Sequence, residues 1–347
     1  MAFFKHFYFC FLLISSLFCY ANEDCLYALA SLKYHLELKI NHDQDNPIEF
    51  SENDVASLWQ RVESLEEMIL AKNDYYEFLQ DNNEEKIIQS HNRVEKYWDL
   101  LRENVNSESE GIFDQHLADN GAFYDKKNAS RMQPHLLPEG PLKQILHTIF
   151  ITFPNALDNN ETYANAGFTI RFAQPHTFIT VSSHPLLEGY LVKAYLNNET
   201  RRKENRPGWE WLVRRCEGVK NVQHLIKQKK LKHFVAPHKW IYITPNPGKK
   251  SVILIVTDMQ LAGHAASVDA WKNKITKEHL DELFCILSHG YSSSYVVANI
   301  PYTIYGKFAC IDTEHPKRKI DYSYAGRFLN PTMRSYWHKL IRKGGKK

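Results

Sequence analysis

Two oxygen-bearing side chains near the end of the chain, Asn299 and Asp312, flank a stretch that reads as a hairpin. From Tyr291 to Glu314 the sequence runs Y-S-S-S-Y-V-V-A-N-I-P-Y-T-I-Y-G-K-F-A-C-I-D-T-E. A polar loop leads into Asn299, Tyr305-Gly306-Lys307 carries the turn signal, and Phe308 to Ile311 returns toward Asp312. Closing a hairpin brings its outer ends together, so the two residues are expected to share one small volume. An amide oxygen beside a carboxylate suits a hard cation, above all Mg²⁺ already held by phosphates. Asn and Asp are also ordinary turn formers, so the pair needs support from elsewhere in the chain.

That support comes from the elements that would position it. Gly189 to Leu196 alternates and is rich in strand formers, with Lys193 at its centre. Pro207 then precedes Gly-Trp-Glu-Trp-Leu-Val-Arg-Arg-Cys-Glu217, where Trp209, Leu212, Val213 and Cys216 recur at helical spacing. Glu210 and Glu217 fall seven residues apart, on one stripe of that helix. Two apolar strands follow, Lys239 to Thr244 and Ser251 to Thr257, joined by the turn-forming Pro245 to Lys250. An amphipathic helix is expected from Lys277 to Ser288, and then come the polar loop and the hairpin.

This order resembles the protein-kinase-like fold over roughly Phe168 to Glu314. The resemblance implies that Lys193 grips nucleotide phosphates and pairs with Glu210 or Glu217. It also implies that Asn299 and Asp312 hold metal, so ATP and Mg²⁺ are the expected cofactors. Ile311-Asp312-Thr313-Glu314 stands where the family has D-F-G. Three departures accompany the match. The family's catalytic carboxylate, five residues before the Asn, is here Ser294, a poor base near neutral pH. No G-x-G-x-x-G loop exists, and Ser182 to Gly189 stands in its place with a single terminal glycine. Only 33 residues follow Glu314, which leaves room for no more than a short C-terminal lobe.

The first 21 residues have the layout of a secretory signal, with Lys5 before an apolar run from Phe7 to Phe18 and cleavage expected near Ala21. The mature chain is therefore expected to be exported, with no membrane span. The 43 Lys and Arg nearly balance 40 Asp and Glu, so overall charge points to no polyanionic partner and no nucleic-acid binding is expected. The basic run from Lys317 to Lys347 reads as a solvated helix end. Cys25, Cys216, Cys285 and Cys310 lie in apolar runs and read as buried thiols; an oxidising compartment would also permit a disulfide that sequence cannot pair. The scattered histidines lack metal-site spacing.

Residues 22–110 read as a small helical bundle, with apolar stripes Leu29/Leu32/Leu36/Ile40, Val55/Leu58/Val62/Leu65/Ile69 and Ile87/His91/Val94/Trp98/Leu101. Residues 111–140 read as a linker and 141–347 as the kinase-like domain. Asn128, Asn160 and Asn198 each begin a glycosylation sequon. The expected class is α+β, a two-lobed kinase-like domain preceded by a helical bundle. Two functions follow. One is a degenerate, pseudokinase-like nucleotide-binding or interaction scaffold that meets a protein partner through the helical module. The other is a divergent, active ATP-dependent phosphotransferase.

Overall fold

The computed structural model describes residues 27–35, 59–71, 74, 84–103, 131–173, 179–196, 208–245, 252–293, 295–313 and 321–344. The expected signal peptide, most of the linker, Cys25, Ser294, Glu314 and, of the basic run from Lys317, residues 317–320 and 345–347 lie outside them. Helix and sheet are mixed along the chain, as an α+β protein requires. Two units divide it: residues 1–129, 137–199 and 242–253 form the first, and 130–136, 200–241 and 254–347 the second.

In the first unit, helices α1 (residues 27–35), α2 (residues 59–71) and α3 (Glu84–Glu103) come first. Leu29, Leu32, Val62, Leu65 and Ile69 are buried, which places these members of the first two apolar stripes in a core, while Leu36, Ile40, Val55 and Leu58 lie outside the described residues. Lys33 pairs with Glu66 and Arg93 with Glu67 and Asp74, so ion pairs join α1 to α2 and α2 to α3. Helix α4 (Pro141–Thr152) starts with Pro at its first turn, and α5 (Asn160–Asn165) with a capping box between Asn159 and Thr162. Strands β1 (Thr169–Ala173), β2 (Ile179–Ser183) and β3 (Tyr190–Tyr195) pair antiparallel in sequence order, with Val181 opposite Lys193. Phe150 stacks on Tyr242 and leans on Phe168, which stacks on Tyr163.

His184 closes the corner after β2. Its Nδ1 accepts the Leu186 N–H at 3.1 Å, and its Nε2–H donates to the Ala166 carbonyl at 3.1 Å. Both ring nitrogens are thereby committed to a neutral imidazole, and burial pushes its pKa down to about 4. Gly167 (φ +85°) makes room for it, since a Cβ there would lie 2.7 Å from His184 Nε2. Ser182 and Ser183 end β2, and Pro185–Leu187 form a 3₁₀ turn into β3. The stretch expected in place of a glycine-rich loop is thus the packed connection between the second and third strands. The connection between the first and second, residues 174–178, lies outside the described residues.

The long helix α6 (Gly208–Lys229) opens the second unit's main run, and its buried face carries Trp211, Leu212, Cys216, Val219, Val222 and Leu225. Glu210 in its first turn and Lys227 and Lys229 in its last oppose the helix dipole. Strand β4 (Phe234–Val235) follows, then β5 (Lys239–Ile243) and β6 (Val252–Thr257), whose residues the two units share. The strand order of the five-stranded sheet is β1-β2-β3-β6-β5. Helix α7 (His264–Asp269) continues into a π-turn carrying buried Trp271. Helix α8 (Lys277–Ser288) has a capping box between Thr276 and His279 and buries Leu280, Leu283, Phe284 and Leu287, one face at helical spacing. After the short α9 (Val296–Asn299) and strand β7 (Phe308–Ala309), parallel to β4, come α10 (Tyr322–Gly326) and α11 (Pro331–Arg342). Trp337 and Leu340 fix α11 in the core, so its basic residues Lys339 and Arg342 face outward.

Candidate functional site

The hairpin expected around Tyr305-Gly306-Lys307 is formed. Gly306 N–H turns back to the Thr303 carbonyl at 3.2 Å, and Thr303 N–H bonds the Lys307 carbonyl at 2.8 Å. Ala309 N–H then bonds Pro301, and the last rung runs from Ile311 N–H to the Asn299 carbonyl at 3.0 Å. Asp312 therefore begins where the ladder ends, one residue from Asn299's partner. Asn299 closes α9 through its own N–H to Tyr295, and the Trp271 indole N–H holds the next carbonyl, Ile300, at 3.0 Å. Asn299 Nδ2 donates to Ser293 Oγ at 2.9 Å, which ties the amide to the polar loop. Both Asn299 and Asp312 are half-buried.

The helix carboxylates have a partner that the sequence did not suggest. Arg131 forks onto Glu217, with Nε to Oε1 at 2.7 Å and Nη2 to Oε2 at 2.8 Å, and reaches Glu210 from Nη1 at 3.2 Å. The bidentate bond holds the Glu217 carboxyl below the usual glutamate range and raises the Arg131 pKa. Arg131 belongs to a strap, residues 131–136, at the end of the stretch read as linker. Met132 and His135 are buried, Lys220 holds the Pro134 carbonyl, and Leu136 forms a parallel bridge with Ile241. Glu210 and Glu217 do share one stripe of α6, as their spacing requires. Lys193 sits half-buried at the middle of β3, the central strand of the sheet.

A second residue went unnoticed in the sequence. Lys239, the first residue of β5, is only 3 % exposed. Its ammonium donates to the Ile311 carbonyl at 2.9 Å and to Thr313 Oγ1 at 3.1 Å, the residues on either side of Asp312. A lysine opening a strand gives no sequence signal of burial, because lysines at strand ends are normally solvated. Cys216 and Cys310, both buried, are free thiols whose burial pushes their pKa up to about 12.

Among the described residues no three or more His, Cys, Asp or Glu side chains are grouped to hold a metal ion. The side-chain oxygens of Asn299 and Asp312 are hard donors, the chemical type that a Mg²⁺-class cation takes. Comparison with family models, with curated proteins and with solved structures found no match. No helix among the described residues is long and apolar enough to cross a membrane.

Proposed function

We propose that this chain is a kinase-like scaffold that binds a nucleotide with Mg²⁺ through Asn299 and Asp312 and has lost efficient phosphoryl transfer. One observation carries the reading: the rung from Ile311 N–H to the Asn299 carbonyl sets the backbone of Asn299 beside the residue that precedes Asp312. The succession of lysine strand, acidic helix, strand pair, helix and hairpin supports it further. When bound, the cation would neutralise phosphate charge. The chain's own part is to orient Asn299 through Ser293 and to hold the acidic helix through Arg131. Serine at position 294 leaves the place of the family's base without a carboxylate, which favours binding over turnover.

The front helices supply a second face. Tyr27, Tyr34 and Ile88 are large apolar residues more than half exposed, which supports an interaction role for α1–α3 in an exported protein. The test of the site is fluorescent ATP-analogue binding with Mg²⁺ or Mn²⁺ and with chelator, beside a turnover assay. Metal-dependent binding that Asp312→Ala abolishes, with turnover near background, is the expected result. No binding at millimolar nucleotide, or metal dependence surviving Asp312→Ala, would remove the reading. Brisk wild-type turnover would move it to an active phosphotransferase.

A further inference from the structure

We propose that Lys239 is a positioning residue for the Asp312 carboxylate, acting through the Ile311 carbonyl on one flank and the Thr313 hydroxyl on the other. The inference rests on the reading of Asn299 and Asp312 as a metal pair. Burying an ammonium is costly unless its donors are met, and a well-packed apolar side chain usually serves stability as well or better. What Lys239 does instead is tie separate pieces of the second unit together around one residue. It holds the Ile311 carbonyl before Asp312 and the Thr313 hydroxyl after it. Thr313 Oγ1, accepting from Lys239, donates its own proton to the Arg215 carbonyl of α6 at 3.0 Å. On the same turn of α6, Gly218 lets the Thr313 carbonyl pass so close that a Cβ would lie 1.9 Å from it. The opposite side of Ile311 is fixed by its N–H bond to Asn299. Strand β5, helix α6 and the hairpin therefore converge on the three residues Ile311–Thr313, and the ammonium is the donor that reaches both flanks.

The test compares Lys239→Met, Thr313→Val and Thr313→Ser with wild type and Asp312→Ala, using fluorescent ATP-analogue binding with MnCl₂ and with chelator. Thermal melts record folding. The expected outcome is that Lys239→Met folds, keeps its metal-free affinity within about twofold, and loses at least tenfold in the metal-dependent part. Thr313→Val should lose in the same direction by about threefold or more, and Thr313→Ser, which keeps the hydroxyl, should retain wild-type affinity. A core lysine would lower both parts together or neither. Wild-type metal dependence in folded Lys239→Met or Thr313→Val overturns the proposal. So does failure of both variants to fold, since the node then belongs to the core alone. Wild type that binds no metal–nucleotide, or Asp312→Ala that still does, overturns the site reading first and this inference with it. Loss in Asp312→Ala but not in Lys239→Met overturns this inference alone.

Discussion

Acidification should unlock the β2–β3 corner through His184, and the size of the effect can be worked out. In the unfolded chain a histidine titrates near 6.5, whereas the buried His184 stays neutral down to about 4. Between those values the unfolded state binds a proton that the native state refuses. Stability is therefore fully present above pH 6.5 and falls as pH drops toward 4. At pH 5 the loss amounts to about 2 kcal/mol, and below pH 4 to about 3 kcal/mol, from 1.36 kcal/mol for each pH unit of difference. The reference is His184→Asn, which can still accept the Leu186 N–H but does not titrate. It forfeits the bond to Ala166 and the edge contact with Phe168, so it should be less stable at pH 7.5 by about 1–2 kcal/mol. Urea unfolding followed by circular dichroism at pH 7.5, 6.5, 5.5 and 5.0 gives both curves. Their difference removes the other histidines, and the two should converge or cross on acidification. Parallel curves across that range would refute the reasoning, because a neutral, doubly bonded imidazole cannot titrate as if it were free.

Two further substitutions test the strap and the α6 contact. Arg131→Ala should cost about 1 kcal/mol by chemical denaturation, a modest figure because the pair is about one-third exposed and screened. It should also remove the stability that Glu217 contributes above the glutamate range and loses as pH falls through its depressed pKa; an unchanged acid limb argues against the fork in solution. Gly218→Ala sets a helix-propensity gain of about 1 kcal/mol against a 1.9 Å collision with the Thr313 backbone. The collision should win by about 2 kcal/mol, lowering the melting temperature by several degrees, and a variant as stable as wild type would contradict it.

Local periodicity carried much of the fold. The strand around Lys193, the helix from Gly208 and the helix Lys277–Ser288 follow from alternation, helical spacing and capping residues, all read within one element. The hairpin was legible because its turn signal and its two apolar arms lie within fifteen residues. What escaped was everything that depends on distant partners. Arg131 lies 86 positions from Glu217, in a polar stretch whose composition suggests a linker. Lys239 lies 72 positions from Ile311, and nothing near it signals that its ammonium is buried. The corner at His184 escaped for a related reason: Ser182 to Gly189 was read by its position before the Lys193 strand, and nothing local signals the buried ring whose bonds reach back to Ala166.

The strap also governs how the chain can be dissected and in what order it assembles. Residues 130–136 belong with the second unit, although the whole run 137–199 separates them from it in sequence. A fragment begun at Pro141, the boundary that sequence reading favours, would strip the arginine from Glu210 and Glu217, remove Leu136 from beside Ile241 and vacate the site of Met132. During synthesis the strap leaves the ribosome well before the helix it grips. Closing a loop of 86 residues costs about 4 kcal/mol in chain entropy beyond a constant, so the segment gains little by docking until α6 is complete. Docking of the strap thus follows synthesis of residues 137–199 and of α6, although the strap itself is made before both.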